Sequence, residues 1–90
     1  MKDKKTGEMI KKMWKEFKSD LEWLKGEVKV LNKAVKMLDT SRKEKNWDKM
    51  VWLSYDVIDV VDSLIYWAIK VKRSAEILNF LLDEMEGDDK

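Results

Sequence analysis

Residues 10–38 read IKKMWKEFKSDLEWLKGEVKVLNKAVKML. Their apolar positions decide the fold. Ile10, Trp14, Phe17, Leu21, Leu24, Val28, Leu31, Val35 and Leu38 follow one another at spacings of four and three without a slip. That alternation is a heptad seam, the mark of a helix packed lengthwise on a helical partner. Val28 and Val35 are expected in one core row, and Leu24, Leu31 and Leu38 in the other. A second stripe, Met9, Trp23, Val30 and Met37, widens the apolar face beyond a two-stranded seam, so this helix has to meet more than one neighbour. Thr6 reads as its N-cap, and Gly26 falls on its outer face, at a cost of about 1 kcal/mol against alanine.

Outward from this stretch, Asp39-Thr40-Ser41 reads as the helix end. Ser41 with Glu44 matches a capping box for a second helix, and Asn46 before Trp47-Asp48 offers a second start. The connection is short either way, so the two helices should run antiparallel. The second helix keeps a 3–4 rhythm through Trp47, Met50, Ser54, Val57, Val61, Leu64, Ala68, Val71, Ala75, Leu78, Leu82 and Met85. Its apolar arc turns by roughly a third of a circle at Lys72-Arg73-Ser74, counted at about 100° per residue. Ser74 there is a candidate cap for a kink or a third helix; continuation is the expectation, because almost no residues remain for a reversing turn.

Composition agrees with a helical reading and narrows the chemistry. The 90 residues hold no proline, no cysteine and no histidine, and only three glycines. Disulfides, thiolate metal sites and the commonest general base are therefore excluded, which argues against an enzyme. Lys/Glu enrichment with few amides is a thermophile tendency. No apolar leader stands at the N-terminal end, and Val51–Val71 carries three aspartates and Lys70, each costly at mid-bilayer. A cytoplasmic chain without cofactors is the expectation. Residues 1–45 carry 14 basic and 8 acidic side chains, residues 46–90 carry 5 and 10, so the halves attract one another.

Two polar faces could carry function. Within Tyr55–Trp67, YDVIDVVDSLIYW, aspartates recur at Asp56, Asp59 and Asp62. On a helical wheel they share a sector with Ser63, Tyr66, Lys70 and Arg73, the wet edge of a helix otherwise embedded in apolar partners. Trp52 and Tyr55 fall in the same sector. With Tyr66, and with Trp23 on the first helix, they are candidate partner-binding anchors.

Asp56, Asp59 and Asp62 are also weak candidates for holding a divalent metal. Asp59-Val-Val-Asp62-Ser-Leu-Ile-Tyr-Trp resembles the E-x-x-D helix of the all-α nucleoside triphosphate pyrophosphohydrolases of the MazG type. The resemblance covers nine residues, with aspartate in place of glutamate, and implies Mg²⁺-dependent nucleotide hydrolysis. The E-x-x-E pair of that family has no counterpart here.

The first helix presents Lys11, Lys12, Lys15, Lys18, Lys25, Lys29, Lys33 and Lys36 on its polar face. Such a strip suits a phosphate backbone, read without sequence preference because lysine lacks the planar fork of arginine.

These readings predict one all-α domain over 1–90. It is an antiparallel hairpin of helices at about 6–39 and 44–86, with a possible kink at 72–75 and a frayed tail at 87–90. Its excess apolar surface should drive self-association into a four-helix bundle, with a three-helix bundle broken near Ser74 as the alternative. The expected function is a non-catalytic interaction or assembly module acting on a second copy or another protein. Nonspecific nucleic-acid binding and Mg²⁺-dependent hydrolysis are the competing classes.

Overall fold

The computed structural model describes residues 4–88, with side chains through residue 85. It is an antiparallel hairpin of two helices, α1 (Lys4–Lys43) and α2 (Trp47–Asp88), with no strand among the described residues. Its extents are 66 × 16 × 15 Å, as expected for a single layer of two helices rising about 1.5 Å per residue. No helix among the described residues is long and apolar enough to cross a membrane.

The reversal takes three residues. The Asn46 amide donates to the Ser41 carbonyl at 2.9 Å, and the Lys45 amide to the Arg42 carbonyl at 3.1 Å. Those two bonds define a Schellman motif, which requires a left-handed residue at its second-to-last position. That residue is Lys45, with φ 57°. Asn46 then caps α2, its side-chain oxygen accepting from the Lys49 amide at 3.3 Å. Of the two helix starts in the sequence, Asn46 is the one used. Ser41 and Glu44 form no capping box, because α1 runs on to Lys43 and Ser41 lies inside it. Thr6 likewise lies inside α1 and caps nothing.

The seam between the helices differs from the expected one in a systematic way. On α1 the row Ile10, Phe17, Leu24, Leu31, Leu38 faces α2, as expected. Its companion row is Met13, Asp20, Glu27, Ala34 and Ser41, three residues on from each; of the expected companions Leu21 is half-buried and Trp14, Val28 and Val35 are exposed. Ala34 is 9% exposed whereas Val28 is 41% exposed and Val35 47%. The same shift occurs on α2. There the row Met50, Val57, Leu64, Val71, Leu78, Met85 is joined by Leu53, Val60, Trp67, Ser74 and Leu81; of the expected companions Ser54, Val61 and Ala68 are half-buried beside them, and Ala75 and Leu82 are exposed. Each helix therefore turns these two rows inward and leaves the flanking row half-buried or exposed. Among the described residues, Ala34, Leu53, Leu78 and Leu81, each 6–9% exposed, form the buried apolar core.

The α2 seam continues through Val71, Ser74, Leu78 and Leu81 without a change of pitch. α2 is one unbroken helix through 72–75, so no third helix begins there. Ser74 stands in the seam as a polar member, 6% exposed, and donates to Asp20 Oδ2 at 3.0 Å. The apparent turn of the apolar arc arises because a serine occupies a core position while Ile77 and Phe80 lie outside it, 44% and 62% exposed. At the end of α2, Gly87 and Asp88 are helical; Asp89 and Lys90 of the expected tail lie outside the described residues.

Candidate interaction surface

Two antiparallel helices have two long sides, and the chain decorates them differently. On one side α1 places Trp14, Leu21, Val28 and Val35, and α2 places Ser54, Val61, Ala68, Ala75 and Leu82. Neither run holds a charge over four heptads. Val51, Ile58 and Ile65 extend this uncharged side onto the back of α2, each about half exposed. Trp14 is tied down by its own helix, its ring stacked on Phe17 with centroids 5.7 Å apart. The antiparallel register fixed by Ser74 on Asp20 brings Trp14 level with Leu82, Leu21 with Ala75, Val28 with Ala68 and Val35 with Val61. At the two central levels a bulky α1 residue thus lies alongside an alanine of α2.

The opposite side is mixed. Met9, Trp23, Val30 and Met37 of α1 lie beside Asp56, Ser63, Lys70 and Ile77 of α2. Trp23, 58% exposed, stacks on Trp67 with centroids 5.4 Å apart and planes 9° from parallel. Tyr66 meets the edge of Trp67 at 5.3 Å, and the Lys70 ammonium lies over both rings, 5.4 and 5.3 Å from their centroids. This aromatic–cation cluster joins two of the expected anchors, Trp23 and Tyr66, through a residue that the sequence pattern did not single out. Toward the loop, an open cleft of about 300 Å³ runs between Val30, Lys33, Met37, Leu53, Asp56 and Val60. Toward the far end, another of about 430 Å³ is lined by Glu16, Asp20, Lys70, Arg73 and Ser74.

The other two anchors, Trp52 and Tyr55, lie on the outer face of α2, 71% and 57% exposed, in tilted contact at 6.3 Å. Asp56, Asp59 and Asp62 are exposed on the same helix. Among the described residues no group of three acidic side chains is placed to hold a metal ion. The aspartates are a wet edge, but the helix bearing them is not deeply embedded as its composition suggested. Ile58, Ile65 and Ile69 on its other faces are each 50–55% exposed.

The eight lysines of α1 are all exposed on the side facing away from α2. Lys25 pairs with Glu22 at 3.6 Å. The other seven have no carboxylate partner among the described residues. The best-organised surface charges lie at the loop end, where Arg42 reaches Asp39 Oδ1 at 2.8 Å and Lys43 reaches Oδ2 at 3.3 Å. The hydrogen-bonded Arg42 guanidinium, then Lys43, hold the Asp39 carboxyl below its ordinary range. Comparison of the chain with protein-family models, with characterised proteins and with solved structures finds no match to any of them.

Proposed function

We propose that this chain is a non-catalytic helical assembly module, a small scaffold or regulator that works by covering its uncharged side with a further helical surface. One observation carries the reading. Among the described residues, eighteen large apolar side chains are more than 40% exposed, against four apolar residues that the hairpin buries. Each fully buried side chain of that size stabilises by roughly 1.5–3 kcal/mol, so covering the exposed ones would add substantially to what the hairpin's own seam supplies. Seven of them, Trp14, Val28, Val35, Val51, Ile58, Ile65 and Leu82, lie together on the uncharged side, which distinguishes these from the scattered exposed apolar residues of any soluble protein. The lack of histidine and cysteine fits an assembly role better than catalysis.

Light scattering after size exclusion, at low and moderate salt, tests the reading. A solution mass of at least twice the 10.8 kDa of the chain is expected at micromolar concentration. A well-folded monomer across a wide concentration range overturns it.

A second reading has its own support in the seven unpaired lysines of α1. It makes that face a sequence-independent binder of nucleic acid. Retention of duplex DNA that falls steeply with salt, and falls again in a Lys15→Glu/Lys29→Glu variant, is the outcome that reading requires.

A further inference from the structure

We infer that the occupant of the uncharged side is a second copy of this chain, related by a two-fold axis parallel to the helices. In that arrangement α1 of each copy packs on α2 of the other, and both loops lie at one end of a four-helix bundle. The inference rests on the assembly reading above and adds the partner and its geometry.

Two hairpins stacked on equivalent sides through a closed two-fold contact have only two lengthwise antiparallel solutions. If the axis runs across the helices, α1 packs on α1 and α2 on α2, and the loops lie at opposite ends. If the axis runs along them, every neighbouring pair consists of one α1 and one α2, and the loops lie together. Charge and side-chain size both select the second.

The two rows on α1 that lead from the uncharged side to its back carry eight lysines (Lys4, Lys11, Lys15, Lys18, Lys25, Lys29, Lys36 and Lys43) against Glu8, Glu22 and Asp39. The corresponding rows on α2, through residue 85, carry Asp48, Asp62, Glu76 and Asp83 against Lys72. Packing α1 on α1 would set lysine rows against lysine rows, and α2 on α2 would set acids against acids. Packing α1 on α2 joins opposite signs along both edges, which favours that orientation and suppresses the other. The lysine stems can meanwhile lie over Ile58 and Ile65, leaving their ammonium groups in water.

Size gives the same answer independently. The uncharged row of α1 is bulky, Trp14 to Val35, while that of α2 has Ala68 and Ala75 at its centre. An axis along the helices preserves height. Leu21 therefore meets Ala75 of the second copy and Val28 meets its Ala68, large into small, as dense packing requires. The crosswise axis would oppose Leu21 to Val28 on one pair of helices and alanine to alanine on the other, giving two unequal spacings across one interface.

The absence of cysteine makes the test direct. A Glu44→Cys variant carries one spin label per chain in the exposed loop. In a dimer of confirmed mass, an interlabel distance below roughly 30 Å is expected, since neighbouring helix axes lie about 8–10 Å apart. A distance near the 66 Å length of the hairpin overturns the inference while leaving the assembly reading standing. A monomer overturns both. As a second readout, Val28→Glu should weaken dimerisation by roughly 100-fold or more, because its carboxylate would be buried unpaired. Val30→Glu, on the mixed side, should leave dimerisation within a few-fold. The reverse pattern puts the contact on the wrong side and overturns the inference. Circular dichroism confirms that both variants remain helical, and the label distance does not depend on either.

Discussion

Ser74 and Asp20 meet across the hairpin, hydroxyl to carboxylate at 3.0 Å, at positions that a heptad seam ordinarily reserves for apolar side chains. A polar pair in such rows fixes the register of two helices, because sliding either past the other strands both groups. Ser74→Ala removes the donor and leaves the part-buried Asp20 without its cross-helix partner. We expect a loss of about 1 kcal/mol, read as a lower urea midpoint at fixed protein concentration. An unchanged midpoint would show that solvent satisfies Asp20 equally well.

Gly26 lies on the outer face of α1, and a Cβ added there meets nothing within 4 Å. Gly26→Ala should stabilise the chain by about 1 kcal/mol through helix propensity alone. The thermal midpoint should rise with no change in solution mass.

Lys45 holds φ 57°, a conformation that costs a residue with a Cβ about 1 kcal/mol relative to glycine. Lys45→Gly is expected to recover most of that, offset in part by the greater freedom of glycine in the unfolded chain. Chemical denaturation beside Gly26→Ala checks both, and the gains should add, since the sites are remote from each other.

Ser41 is fully buried, and its hydroxyl has no hydrogen-bond partner among the described residues. Burying an unsatisfied hydroxyl is costly, and alanine nearly matches its shape. Ser41→Ala should therefore be neutral or stabilising by up to about 1 kcal/mol. A clear destabilisation in the urea midpoint would mean that the hydroxyl finds a partner after all.

Asp39 has its carboxyl pKa lowered by Arg42 and Lys43. A carboxylate with a depressed folded pKa adds stability above its unfolded pKa, and that contribution is lost as pH falls through the folded value. Carbon-detected NMR titration should show Asp39 titrating below ordinary aspartates. Because the group is on the surface, the depression should shrink in high salt. Arg42→Ala should return it part of the way to the ordinary range, with Lys43 holding the remainder.

The rows Ile10 to Leu38 and Met50 to Met85 were legible in the sequence, because apolar spacing reports which side chains avoid water. Their companion rows were not. The seam takes Asp20, Glu27 and Ser41 on α1 and Ser74 on α2, where a search for hydrophobes finds nothing, and leaves Val28, Val35 and Leu82 outside. Spacing shows that a residue seeks cover but not which partner provides it. A chain with more apolar rows than one neighbour can bury therefore has an ambiguous seam. The same surplus did foretell that a lone hairpin leaves Trp23, Val30 and Met37 in water, as it does. The uncharged side had a readable sign that spacing obscures, the lack of any charge at every seventh residue from Trp14 through Val35 and from Ser54 through Leu82. The stack of Trp23 on Trp67 had none, since it depends on the register between helices.

The direction of the whole second half of the chain hangs on two adjacent residues, Lys45 and the N-cap Asn46. Lys45 is the only non-glycine residue with positive φ among those described, and both helices flanking it are regular to within a residue or two of the bend. Rotated into the right-handed region, with Asn46 leaving its capping conformation as well, Lys45 would let α1 flow into α2 as one rod of roughly 125 Å. The fold is thus a choice between two topologies separated by the backbone angles of two adjacent residues. Substitution with alanine, a strong helix former that resists the left-handed state, pushes toward the rod. Two such rods could then satisfy the same α1-to-α2 pairings between chains that the hairpin makes within one.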